Sequence, residues 1–261
     1  MGRTIVVASG KGGVGKTTVV AGLARALASM NSTVCVVDGD IGLNNLDLLM
    51  NVENKVVYDL VDCMQGKCRI QQALIKDSFL DNLFTMPAGK NLPKNETYSF
   101  QQIVKKLSTV FDFVIVDSPA GIEDGFKRAA SCCFEALIVV TPHISSVRDA
   151  SKVITLLSSD ANNLSKMIIV NRIRGDLVAS GQMMSHKNIE QLLGVPCVGI
   201  IPESDRYNVS SSLQFLDSSQ QIVQGFKILA KNLINEQFEQ LNYTQKYVGV
   251  LGYFRRKLKK I

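Results

Sequence analysis

The tightest constraint on this chain is an eight-residue stretch near its amino terminus. Gly10-Lys11-Gly12-Gly13-Val14-Gly15-Lys16-Thr17 follows an apolar run from Thr4 to Ser9 and opens into a helix-compatible segment from Thr17 to Met30. The pattern is GxxxxGK[ST], and its meaning depends on a strand before it and a helix after it. Glycines let successive backbone N–H groups face one anion, and the helix amino terminus adds partial positive charge. On this reading residues from Gly10 through Thr18 wrap a nucleotide's phosphates. Lys16 bridges the β- and γ-phosphates, and the Thr17 hydroxyl holds Mg²⁺, a cation that prefers oxygen ligands. The competing reading, a chance glycine-rich turn, does not explain the flanking strand and helix. The sequence therefore predicts a nucleoside-triphosphate hydrolase.

The remaining pattern suits that cradle. Short, β-branched apolar runs recur at Thr33–Asp38, Phe113–Asp117, Ala136–Thr141, Met167–Asn171 and Val198–Ile201, with a weaker one at Leu83–Met86 that Pro87 cuts short. They are continuously apolar rather than alternating, as strands covered on both faces are. Helical stretches lie between them, at Ser99–Leu107, Ser146–Ser158, His186–Leu193 and a long one at Ser218–Gln240. Alternating units of this kind predict one α/β domain over residues 1–243: a mostly parallel twisted sheet with helices on both faces. Gly89 to Glu96 reads as an exposed loop.

Two further strand ends carry acids. Phe113-Val114-Ile115-Val116 ends in Asp117, where a P-loop enzyme places the carboxylate that holds the Mg²⁺ shell. Thr33 to Val37 ends in Asp38-Gly39-Asp40. Acids crowded at the carboxyl edge of a parallel sheet are unfavourable unless a cation or proton resolves them, and that edge is where ligands bind. An exposed acidic turn is the alternative for this second pair.

Composition removes other classes. The 261 residues, 46% hydrophobic and 20% charged, describe a soluble globular chain, with no apolar run long enough to span a membrane and no secretory signal pattern. That predicts a cytoplasmic protein, with an organelle stroma as the other option. The six cysteines form no CxxC pair and read as reduced thiols, and His143 and His186 have no ligand-like spacing. Six of the 29 basic residues fall within 246–261, where there are no acids, while the other 23 are matched by 23 acids. The body is neutral, and the net charge of +6 belongs to the tail.

In that tail Tyr247, Leu251, Phe254, Leu258 and Ile261 recur every three or four residues, with Arg255, Arg256, Lys257, Lys259 and Lys260 on the remaining faces. A basic amphipathic helix with aromatic and aliphatic side chains on one face reads as a surface anchor on anionic lipid. Packing on the body and binding nucleic acid are the alternatives. Gly249 and Gly252 lower helix propensity, so residues 244–261 are expected to order only on lipid.

Taken together, these residues resemble the MinD/ParA family of deviant Walker A ATPases, and its cell-division branch in particular. The resemblance runs through KGGVGKTT at Lys11–Thr18, VVDGDIGLNNLDL at Val36–Leu48, DSPAGIE at Asp117–Glu123, SSVRDA at Ser145–Ala150 and GIIPE at Gly199–Glu203. It implies that Lys11 crosses a homodimer interface to the partner's ATP, that Asp40 orients the attacking water, and that Asp38 supports the metal and switch region. It also implies that Asn171 contacts adenine and that Asp149 lies on a helix used for dimer and partner contacts. The implied function is an ATP-dependent dimerisation and membrane-binding switch, peripheral on the inner face of the cell membrane, that positions the division site. A MinC-like inhibitor and a MinE- or MinJ-like topological partner are the implied regulators, and no nucleic acid is expected. Gly39 and Thr141-Pro142-His143 depart from the commoner family pattern, which bears on partner specificity. A DNA-partitioning ATPase of the same superfamily and an iron–sulfur reductase of similar fold are the rival readings. The neutral body opposes the first, and the adjacent Cys132 and Cys133, pointing about 100° apart on a helix, oppose the second.

Overall fold

A computed structural model describes residues 1–42, 45–91, 98–159, 164–204 and 220–248. The eight strands among them are β1 (Arg3–Ala8), β2 (Val34–Asp38), β3 (Ile75–Lys76), β4 (Leu83–Met86), β5 (Phe113–Asp117), β6 (Glu135–Val140), β7 (Ser165–Ile173) and β8 (Cys197–Pro202). They form one sheet in the order β3-β4-β2-β5-β1-β6-β7-β8. Every pairing is parallel except that of β3 with β4. The two-residue β3 has no sequence signature, because an edge strand that short carries no periodicity.

The helices are α1 (Lys16–Ser29), α2 (Leu46–Met50), α3 (Leu60–Met64), α4 (Ile70–Ala73), α5 (Phe100–Leu107), α6 (Asp124–Ala130), α7 (Ile144–Ser159), α8 (Gly175–Ala179), α9 (His186–Leu193) and α10 (Gln221–Asn235). Alternation along the strands divides the core into two layers. In β1, Ile5 and Val7 join the layer containing α1 and α10, while Val6 and Ala8 join the layer containing α5, α6 and α7. That is the two-sided burial the continuous apolar runs predicted, and it accounts for strands whose residues are almost all inaccessible.

Two expected boundaries move. The last long helix ends at Asn235 rather than Gln240, because Glu236 takes the left-handed conformation (φ 54°) and its N–H closes on Asn232 O. The loop expected to be exposed from Gly89 begins buried: a Cβ on Gly89 would lie 2.4 Å from Val61, and Gly42 N–H donates to Gly89 O at 3.0 Å. Lys90 and Asn91 are exposed, and residues 92–97 lie outside the described part.

Past α10 the chain stays on the body. Leu241 and Tyr243 are buried, the Tyr243 hydroxyl meets His186 Nδ1 at 2.8 Å, and a short 3₁₀ turn, Gln245–Tyr247, packs on α8 beside Gly175. Tyr247, expected on the lipid face, is half-buried in that contact. Leu251, Phe254, Arg255, Arg256, Lys257, Leu258, Lys259, Lys260 and Ile261 lie outside the described residues. No described helix is long and apolar enough to cross a membrane.

Candidate functional site

The predicted phosphate loop joins the carboxyl end of β1 to α1 at the centre of the sheet, where the strand order turns back on either side of β1. Its glycines do different work. Gly15 caps α1 in the left-handed region (φ 88°), and a Cβ there would sit 2.4 Å from the Asn171 amide. No side chain caps α1 at this end. Its first N–H groups therefore face the pocket and leave the helix terminus available to an anion. Gly12 and Gly13 are exposed, and nothing lies within 4 Å of where their side chains would be, so this part of the loop is an open cradle. Gly10 serves packing instead: a Cβ on it would strike the Asp149 backbone of α7 at 2.3 Å.

Beneath the loop the polar groups are buried and paired. Lys16 Nζ contacts Asp117 Oδ1 at 2.5 Å, with both side chains almost fully enclosed. The Asn171 side-chain amide donates to Val14 O at 2.8 Å and props the loop from below. The 118–121 segment is tied to β1: Ser118 Oγ donates to Val7 O, and Gly121 N–H to Ser9 O.

The three predicted acids converge. β2 and β5 pair in register with Asp38 opposite Asp117, and Asp40 N–H donates to Asp38 Oδ1 at 3.0 Å. Asp38 is 1% exposed. Its carboxyl is pushed up to about 7, first by burial and then by the charge of Asp117 beside it. Asp40, half-buried, is raised by desolvation, with Lys16 opposing and Asp117 adding to the rise. One buried ammonium thus faces three carboxylates, and Asp38 answers by moving toward its protonated form. A hard dication bound through oxygen would relieve this excess, so the donor set of Thr17, Asp38 and Asp117 fits Mg²⁺. Gly39 between the two acids is tightly placed: its N–H donates to Asp117 O at 2.8 Å, and a Cβ would come within 3.0 Å of the same oxygen.

A cavity of about 290 Å³ opens above this floor. Ser9, Gly12 to Thr18 and Asp40 line it, and so do Ala120, Asn45 and Arg172. Sequence reading missed those last three. Arg172 sits in a bulge of β7 with a left-handed backbone (φ 57°), a conformation uncommon for a residue with a side chain and one that no local sequence signal announces. Asp38 and Asp117 lie below the cavity rather than in its wall. Lys11 is also absent from the lining: its Nζ contacts Ser145 Oγ at 3.0 Å, at the solvent edge of α7. Asp149 is on the same helix, paired with Lys152. Among the described residues no cluster of His, Cys, Asp and Glu forms a metal cage of its own.

Comparison with known proteins agrees with this geometry. Residues 5–214 match the family model described as the CobQ/CobB/MinD/ParA nucleotide binding domain. The chain is 47% identical to the septum site-determining protein MinD of Bacillus subtilis over 208 residues, 78% of each chain. It is 40% identical to that of Synechocystis over 99% of each. Among solved structures, the MinC:MinD cell division protein complex of Aquifex aeolicus superposes with a TM-score of 0.83 at 38% identity, covering 91% of this chain and 98% of that one. MinD of Pyrococcus horikoshii complexed with Mg-ADP superposes with a TM-score of 0.77 at 28% identity, covering 89% and 96%.

Proposed function

The chain belongs to the MinD family of septum site-determining proteins, and on that premise we propose that it hydrolyses ATP as a timed dimerisation switch that carries it to the membrane and away again. The observation that carries the reading is the division of labour between two lysines of one loop. Lys16 is buried beneath the cradle, whereas Lys11 stands at solvent outside its own cavity, where a second subunit's nucleotide can receive it.

In this reading the cradle N–H groups of Gly12 to Thr17 take the β-phosphate, and Lys16 exchanges Asp117 for the phosphate oxygens. Thr17, Asp38 and Asp117 would hold Mg²⁺, which neutralises charge on the phosphates when bound. Asp40, in the cavity wall, orients the attacking water. Lys11 from the facing subunit offsets charge developing at the γ-phosphate, as an arginine finger does. Hydrolysis then waits on assembly. Asn171, already committed to Val14 through its amide, keeps its carbonyl for the base. Asn171 itself is not in the lining of the cavity, whereas its neighbour Arg172 is.

The output is the basic tail. Each cation near an anionic surface contributes about 1 kcal/mol, and ordering a residue costs about as much. One tail is therefore a weak anchor, and two on a dimer bind by avidity. A MinC-like inhibitor would dock on this protein, by likeness to the Aquifex aeolicus MinC:MinD complex, and a MinE- or MinJ-like partner would set its position.

Sedimentation with anionic vesicles tests the reading. The full chain should pellet with ATP and not with ADP. A chain ending at Val248, which keeps the turn packed on α8, should stay in the supernatant with either nucleotide. Equal pelleting of the two chains with ATP would sink the proposal. The Asp40→Ala variant should bind ATP, dimerise and remain on vesicles without turnover, and rapid hydrolysis by it would overturn the role given to Asp40.

A further inference from the structure

A groove more spacious than the nucleotide cavity lies elsewhere on the molecule. It has a volume of about 640 Å³ and lies beside the turn that ends α3, with Lys67, Arg69, Lys106 and Tyr98 around its mouth and Cys68 in its wall. That turn has a defined construction. Gly66 takes the left-handed conformation (φ 71°) and its N–H closes on Cys63 O at 3.0 Å, while Lys67 N–H reaches back to Asp62 O at 3.0 Å. These are the paired bonds of a Schellman motif, which reverses the chain over the last helical turn. The reversal sets Cys68 on top of Cys63, and their sulfurs stand 3.4 Å apart. Cys63 is buried, and Cys68 is partly open to the groove.

We propose that Cys63 and Cys68 are a redox-closing dithiol, a modification site that forms an intramolecular disulfide with a small-molecule disulfide such as oxidised glutathione. Bringing the sulfurs from 3.4 Å to bonding distance requires a movement of about 1.4 Å. The six-residue turn from Cys63 to Cys68, closed by two hydrogen bonds, already supplies most of the encounter. The exchange balances in two steps. The Cys68 thiolate, reached through the groove, attacks one sulfur of the small disulfide and expels the first small thiol. The Cys63 thiolate then attacks Cys68 Sγ, forming the protein disulfide and releasing the second small thiol. The protein is oxidised by two electrons, the small disulfide is reduced by two, and the two cysteine protons leave with the small thiols.

The surroundings give the pair its character. Burial raises both thiols, and the carboxylates of Asp59 and Asp62 raise them further. The thiols are therefore slow to ionise, so closure depends on the proximity of the second sulfur rather than on an activated thiolate. Cys132 and the buried Cys133 also interact through their thiols, but they are adjacent in sequence rather than brought together across a turn. Cys132 gives its S–H to Ala129 O, and Cys35 and Cys197 are buried in the sheet.

The test uses the full chain. It is incubated with oxidised glutathione, alkylated without reduction, and digested with trypsin, which cuts between the two cysteines after Lys67. The expected result is loss of two of the six thiols and a peptide carrying Cys63 joined to the Cys68-Arg69 dipeptide. Cys63→Ser should stop at a stable mixed disulfide on Cys68. In Cys68→Ser, Cys63 should remain a free thiol. Full alkylation of Cys63 and Cys68 in the wild type, persistent mixed disulfides without a joined peptide, or a disulfide between any other pair would each overturn the proposal. Circular dichroism of the two serine variants confirms that each is folded when its thiols are read.

Discussion

Lys11 and Lys16 belong to one loop, yet their surroundings have little in common. Lys16 and its partner Asp117 are each nearly sealed from water, and the loop above them is propped by the Asn171 amide on Val14 O. Lys11 meets a serine hydroxyl at the surface, beside glycines that face open space. The floor of the cradle is finished by this chain's own packing, and its rim is left unfinished. A buried ion pair resists the loss of either member strongly, whereas an exposed polar contact contributes little to stability. The floor should therefore register damage as lost stability, and the rim as lost chemistry.

The comparison breaks most readily at Lys16. Lys16→Ala leaves Asp117 buried beside Asp38 and Asp40 without a cation. It should lower unfolding free energy by about 3 kcal/mol in the absence of nucleotide, and nucleotide affinity should fall by more than about 100-fold. Chemical denaturation and a fluorescent-nucleotide titration measure the two, and an unchanged stability would mean the pair is not the floor's anchor. Asn171→Ala comes next. Removing the amide strands the Val14 carbonyl, at a cost of about 2 kcal/mol, and loosens the loop enough to raise the KM for ATP.

A smaller effect is expected at the amino-terminal edge of the sheet, away from both halves of the cradle. Asp112 accepts hydrogen bonds from the Thr33 backbone N–H and hydroxyl, and these, the backbone bond foremost, hold its carboxyl below the usual range. A depressed folded pKa gives stability that is present above the unfolded value, about 3.9, and lost as pH falls through the folded one. Asp112→Ala should cost less than about 1 kcal/mol at pH 7, since the group is exposed and screened. The difference from wild type should shrink steadily below pH 4; a gap that persists at low pH would assign the loss to packing. The smallest change in stability belongs to Lys11→Ala, within about 0.5 kcal/mol of wild type, while ATP turnover falls by at least about tenfold. A variant that lost stability without losing turnover would reverse the contrast between floor and rim.

Much of this was readable in advance, and for definite reasons. β5 was placed at Phe113–Asp117 because a continuous apolar run closed by an acid has one comfortable setting, a buried parallel strand with its carboxyl end at the ligand edge. Asp38, Asp40 and Asp117 follow from acids at strand ends and Lys16 from the phosphate-loop pattern, and the structure brings all four to one place. Arg172 and Asn45 escaped notice because their positions depend on a bulge and on the approach of a distant loop, neither of which leaves a period in the sequence. Tyr247 was assigned by spacing to the lipid-facing stripe, but periodicity cannot weigh a competing partner, and Gly175 of α8 supplies one.

By itself the amino-acid order determined the strand-loop-helix cradle, the two-sided sheet and the segregation of positive charge into the last residues. Each follows from local stereochemistry or from hydrophobic periodicity, which neighbouring residues carry between them. Only the tertiary structure decided that Asp38 must share its space with Asp117, that Lys11 leaves its own cavity for Ser145, and that Cys63 lies under Cys68. Those outcomes depend on which surfaces close on one another and how far water is driven out between them, and burial of that kind is a property of the packed chain.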